Sequence, residues 1–137
     1  MTVTYLTKTE LGQFLHRNGN DIEPSVQSAL ISSLEDRGVF EDGSRAWFQS
    51  GPFGGGTVAP TIQILDVSSS ATVQTTPNLK AIIVDDSGGK QLNVTDTPGA
   101  HNDVFVAMGK GADTVMLFDN GNDTVYGGSE IGRASCR

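Results

Sequence analysis

Cysteine is almost missing from this chain: its one thiol is Cys136, in a basic tail, so neither a disulfide framework nor thiol chemistry can organise the fold. Positive charge is also scarce, with nine Lys and Arg against 16 Asp and Glu, a net charge of −7 and a pI near 4.5. That balance leaves no basic footprint for nucleic acid and suits cations better than phosphates. No apolar run approaches the ~20 residues of a membrane span, and the N-terminus lacks the basic-then-apolar pattern of a Sec-type signal. Only His16 and His101 could act as bases near neutral pH. There is no His-Glu-x-x-His helix, no Gly-x-Ser-x-Gly elbow and no Gly-x-x-x-x-Gly-Lys-Ser/Thr loop, so no catalytic role is expected within this stretch.

Glycine, by contrast, is plentiful at 17 residues, and several fall in a repeat. Cut into tens, residues 97–126 read Thr-Pro-Gly-Ala-His-Asn-Asp-Val-Phe-Val, Ala-Met-Gly-Lys-Gly-Ala-Asp-Thr-Val-Met and Leu-Phe-Asp-Asn-Gly-Asn-Asp-Thr-Val-Tyr. Asp103, Asp113 and Asp123 come into register. Each unit offers a turn, an acid just after it and a short β-prone apolar run, which suits alternating turns and strands in a stacked coil. Glycines such as Gly109, Gly111 and Gly121 let backbone carbonyls turn toward a common point. An aspartate ending each turn adds a carboxylate. Oxygen-only, flexible, many-ligand surroundings are what Ca²⁺ selects, so calcium is the expected ion.

Stacking would also bring Asp103 near Asp123, since alternate units share an edge of a two-sided coil. Two carboxylates about 4 Å apart repel by roughly 1 to 4 kcal/mol at surface-like dielectric constants, and a divalent cation between them reverses the sign. Metal binding and folding are therefore expected to be coupled. A second reading of the same residues is a β-solenoid in which Asn, Asp and Gly only make turns.

Gly121-Asn122-Asp123-Thr124-Val125 and Gly111-Ala112-Asp113-Thr114-Val115, with Gly127-Gly128 after them, resemble the RTX calcium-binding nonapeptide G-G-x-G-x-D-x-U-x, U being a large apolar residue. His101-Asn102-Asp103-Val104-Phe105 lacks the glycine, Met108-Gly109 and Phe118-Asp119 stand where the leading pair would be, and the period is ten. The resemblance covers about 30 residues. It implies a parallel β-roll with Asp103, Asp113 and Asp123 as carboxylate ligands and loop atoms of Gly109, Gly111, Asp119, Asn120, Gly121 and Asn122 as the rest. It further implies Phe105, Val115 and Val125 pointing inward, type I export machinery as a partner, and a secreted or cell-surface location.

Ile131 to Arg137 back-translates, with the end of the Glu130 codon, into a common sequencing adapter, so this tail is expected to be non-native and the repeats to be incomplete. Without it, seven bases face 16 acids, a net charge of −9.

Upstream, Thr7-Lys8-Thr9-Glu10 has the form of a capping box and predicts a helix to about Arg17 with Leu11, Phe14 and Leu15 on one face. Pro24 opens a second helix carrying Val26, Leu30, Ile31 and Leu34, stopped by Gly38. Asn18 to Asp21 reads as the polar turn between them. Residues 39–60, with Trp47, Phe48 and Phe53 among glycines, read as a linker whose aromatics dock on the roll's open end or, as the second reading, on a ligand. Strands are expected at Ile62 to Val67, Ala71 to Thr75, Leu79 to Val84 and Gln91 to Thr95, with Asp85 and Asp86 in a turn. The fold class is thus mostly β, a parallel β-roll beginning near the C-terminus after a small N-terminal helical hairpin. The segments are 1–38 cap, 39–60 linker, 61–96 lead-in rungs, 97–130 calcium repeats and 131–137 tail. Val104, Val106, Met116 and Phe118 suggest strands covered on both sides, by the hairpin or the Trp47 region. Two other functions fit the same residues: a scaffold for a secreted hydrolase domain beyond the break, and a calcium-dependent adhesin or surface-layer module that self-associates through exposed rungs.

Overall fold

The computed structural model describes residues 2–16, 22, 24–51, 53–84, 90–96, 102–109, 114–118 and 123–126, and the backbone of 133–136. Two helices are followed by strands that alternate between two parallel sheets, a β-roll-like arrangement. The first sheet gathers β2 (Ala46–Ser50), β4 (Ile64–Val67), β6 (Ala81–Val84), β8 (Phe105–Met108) and β10 (Thr124–Tyr126). The second gathers β3 (Gly56–Thr57), β5 (Ala71–Gln74), β7 (Gln91–Thr95), β9 (Thr114–Leu117) and β11 (Arg133–Cys136). Each pair of consecutive strands is one coil. Strand β1 (Thr2–Leu6) adds to the outer edge of β2, and theirs is the antiparallel pair.

The helices form where local chemistry starts and stops them. Helix α1 (Lys8–Leu15) begins at a complete capping box: Glu10 N–H donates to Thr7 Oγ1 at 3.1 Å and Thr7 N–H to Glu10 Oε1 at 3.0 Å. The Thr7 N–H, helped by the nearby Thr7 hydroxyl, holds the Glu10 carboxyl below its ordinary pKa, so that support is present above the carboxylate range and fades as pH falls through it. Helix α2 (Pro24–Asp36) ends in a Schellman turn, with Val39 N–H on Leu34 O, Gly38 N–H on Glu35 O, and Gly38 at φ +77°. Buried Gln27 joins the pair by donating to Leu15 O and Ile22 O. The Asn18 to Asp21 turn and its expected role lie outside the described residues.

Two cores result. Inside the roll, Leu65, Val67, Ile82, Val84, Val104, Val106 and Met108 of the first sheet meet Val73, Leu92, Val94, Val115 and Leu117 of the second. On the outer face of the first sheet, Phe48, Ile64, Ala81, Ile83, Phe105 and Ala107 pack against Leu11, Leu15, Val26, Leu30 and Leu34. Strands β4, β6 and β8 are buried on both faces, which is why they read as nearly unbroken apolar runs. The second sheet alternates, its outward residues polar apart from Met116 and at least partly exposed.

Three expectations need correction. The roll begins at Ala46, inside the stretch read as a linker, and not near the C-terminus: Ala46-Trp47-Phe48-Gln49-Ser50 is β2, paired in parallel with β4. Short strands set among glycines carry little periodic signal, and β3 itself holds a glycine at φ +103°. Trp47 packs on Tyr5 of β1 with ring centroids 4.2 Å apart and planes tilted by 52°, while Phe48 faces the helices and Phe53 enters the roll interior. The third correction is Phe105, which points outward to the helices. Hydrogen-bond register pairs Val106 with Val125 and Phe105 with Thr124, a step of 19 residues where the tens imply 20. A one-residue slip moves a side chain to the other face, so Val104 and Val106 take the interior with Val115 and Val125.

The backbone of Arg133–Cys136 runs beside β9, Arg133 opposite Thr114. Strand pairing is a backbone property. Any sequence continuing the coil at this point meets the same open edge, so β11 leaves the origin of the tail as an expectation.

Candidate metal centre

The described candidate ligands divide between the two edges of the roll. Asp103 and Asp123 stand just before β8 and β10, where the chain crosses from the second sheet to the first. Gly109 follows β8 on the opposite edge; it is buried and donates to Val84 O at 2.8 Å. Asp113, Asp119, Asn120, Gly121, Asn122 and Gly111, expected as ligands, lie outside the described residues, as do His101, Asp85 and Asp86.

At the Asp103/Asp123 edge, Asp123 Oδ1 accepts the Val104 N–H at 2.9 Å across adjacent coils. This places the Asp123 carboxylate opposite the residue after Asp103, one step off the alignment that the tens imply. Asp123 Oδ2 is buried and accepts no hydrogen bond among the described residues. A buried carboxylate oxygen whose lone pairs meet no donor among the described residues, next to an exposed Asp103, is the kind of ligand atom a hard cation takes. The observed chemistry therefore fits an oxygen-ligated cation at this edge. Among the described residues, no three His, Cys, Asp or Glu side chains converge, so the remaining ligands would have to be loop carbonyls, water or the undescribed turn.

One coil earlier, a side chain already supplies positive charge. Arg37, just past α2, sends Nη1 to the carbonyl oxygens of Asp103 and Lys80, at 2.5 and 3.3 Å. A guanidinium bridging edge carbonyls of successive coils does there what a metal would do further along. Nothing in the sequence pattern identifies this role, because it depends on how α2 lies across the edge. Arg37→Met keeps the aliphatic stem and removes the bridge. Because both sites are partly wet, the loss expected in urea unfolding is about 1 kcal/mol, below the range for a buried charged bond.

The same edge holds a polar cluster that the sequence reading passed over. Thr75 Oγ1 donates to Asp96 Oδ1 at 2.6 Å and accepts from Asn102 Nδ2 at 2.9 Å, while Asn102 N–H reaches Asp96 Oδ2 at 3.4 Å. Asp96 thus ties the turn before β8 to the end of β5. Both oxygens of Asp96 meet protein donors, whereas Asp123 uses one oxygen so and its Oδ2 meets none among the described residues. Comparison with protein-family models, curated proteins and solved structures finds no match.

Proposed function

We propose that this chain is a calcium-binding β-roll of the RTX type, a module of an exported protein whose C-terminal coils order on binding calcium outside the cell. The observation that carries the reading is the buried Oδ2 of Asp123, which accepts no hydrogen bond among the described residues, beside Asp103 at the edge of a parallel two-sheet coil. Support comes also from the acidic balance and from the 19-residue step between β8 and β10, which brings alternate repeats onto one edge. The coils before β8 need no metal at this edge, because Arg37 and the Thr75–Asp96–Asn102 cluster fill it. The calcium requirement is accordingly confined to the repeats.

Calorimetric titration of the full chain with calcium tests this. Saturable binding is expected with Kd about 10⁻⁴ to 10⁻³ M, the range of extracellular modules. The double variant Asp103→Asn/Asp123→Asn should lose it. Absence of binding by the parent chain, or equal binding by the variant, would contradict the reading.

A further inference from the structure

The outer face of the second sheet has no part in the calcium reading, and its chemistry differs from that of the rest of the chain. None of the residues of β5, β7 and β9 carries a charge, in a protein with 16 acids and nine bases. Parallel register lines the outward residues into rows along the roll: Thr72 beside Asn93 beside Met116, and Gln74 beside Thr95. Hydrogen bonds between rungs, and one along β7, hold them in place. Asn93 Nδ2 donates to Thr72 Oγ1 at 3.2 Å, Gln91 Nε2 to Asn93 Oδ1 at 3.4 Å, and Thr57 Oγ1 to Gln74 Oε1 at 2.9 Å.

Across the first rungs of this face runs an open groove of about 420 Å³, lined by Gly54, Gly55, Ser70, Thr72, Gln91 and Asn93. Its glycine wall is built by close approach: Gly55 has φ +92°, and a Cβ there would come within 3.3 Å of Thr72 O. The wall is therefore bare backbone, and apart from Ala71 the floor is amides and hydroxyls. Thr72 takes one N–H of the Asn93 amide, which has a second.

We propose that this groove binds a neutral, polyhydroxylated polymer, that is, an uncharged polysaccharide. A phosphate or sulfate group needs a cation, and a basic ligand needs carboxylates; β5, β7 and β9 offer neither. Ligand hydroxyls both donate and accept, which matches a floor of mixed amides and hydroxyls. Rows repeating at the strand spacing of about 4.8 Å suit a repeating chain better than a single small molecule. The uncharged face thus complements an uncharged ligand, and the floor supplies its direct hydrogen bonds. The groove belongs to coils that hold none of the proposed calcium ligands, so this inference stands apart from the calcium reading.

Native affinity electrophoresis of the full chain tests it, in gels containing dextran, laminarin or xyloglucan as neutral probes and alginate as the anionic one, each run in calcium and in chelator. Retardation by at least one neutral probe is expected in both buffers. Gln91→Ala/Asn93→Ala, both at the surface and checked for an unchanged circular dichroism spectrum, should weaken it about tenfold. Thr72→Ala gives a second variant with a smaller loss. Unchanged migration in all neutral gels, equal retardation of parent and double variant, or retardation confined to alginate would overturn the proposal. So would a double variant that alters only the sedimentation coefficient, since the face would then join copies of the chain.

Discussion

Leu65→Ala should lower the unfolding free energy by about 2 to 5 kcal/mol, the range for deleting a buried leucine side chain from a close-packed interior. Leu65 is fully buried, on the inward face of β4, with β2 on one side and β6 on the other. It meets the second sheet inside the roll, in the same cluster as Ile82, Val73 and Leu92. Both layers above and below are held by hydrogen-bonded strands, so the cavity has little room to collapse. Thr72→Ala, on the wet outer face of the second sheet, should change stability by no more than about 0.5 kcal/mol. Urea unfolding of the two variants in calcium distinguishes an interior that bears on stability from a surface that does not.

Asp123 should separate structure from metal binding when two substitutions are compared. Asp123→Ala removes the acceptor of the Val104 N–H, and Val104 is fully buried, so a backbone donor is left unpaired. That should cost about 1 to 3 kcal/mol even in chelator. Asp123→Asn keeps an oxygen for Val104 and discards the charge. It should therefore unfold at nearly the parental urea midpoint in chelator and fail to gain stability from calcium. For the parent, calcium at about 100 times its Kd should add roughly 2.7 kcal/mol. Equal gains by parent and Asp123→Asn would remove the carboxylate from the binding account, while equal losses by Ala and Asn in chelator would remove the Val104 bond.

Much of this architecture could be read from residue order where the signal is local. Thr7 and Glu10 specify a cap from four residues, and Gly38 ends α2 as the sequence predicts, by a left-handed turn at φ +77°. The strands of β4, β5, β6 and β7 follow from short β-prone runs bounded by Ser, Pro, Asp and Gly. Features that depend on distant partners were not legible. Phe105 faces the helices because coil register, set by pairing with β10, steps by 19 residues, and counting tens puts it on the wrong side. The earlier coils escape any fixed period, since Ala81 lies 17 residues after its partner Ile64 and Phe105 lies 24 after Ala81. Strand lengths stay similar while turn lengths vary, so a repeat shows only where successive turns match.

Arg37 and Asn102 show the same limit at the candidate site. Each is an ordinary surface-type residue in sequence, and each acquires its role by reaching across coils, Arg37 to Asp103 and Lys80, Asn102 to Thr75. That Asp103 and Asp123 share one edge was legible, because acids repeated after turns at an even spacing fall on alternate rungs of a two-sided coil. What the fold adds is asymmetry: Asp96 finds protein donors, while Asp123 keeps a buried oxygen that does not.

The central claim is that calcium orders the C-terminal coils through the Asp103/Asp123 edge while the earlier coils stand without it. Amide hydrogen exchange of the full chain, measured in millimolar calcium and again in chelator, examines both halves at once. The account predicts that protection over residues 104–108 and 124–126 rises with calcium, while residues 64–67 and 81–84 exchange at the same rate in both buffers. Identical exchange at Val104 and its neighbours in the two buffers, or a calcium effect spread evenly over all coils, would contradict it.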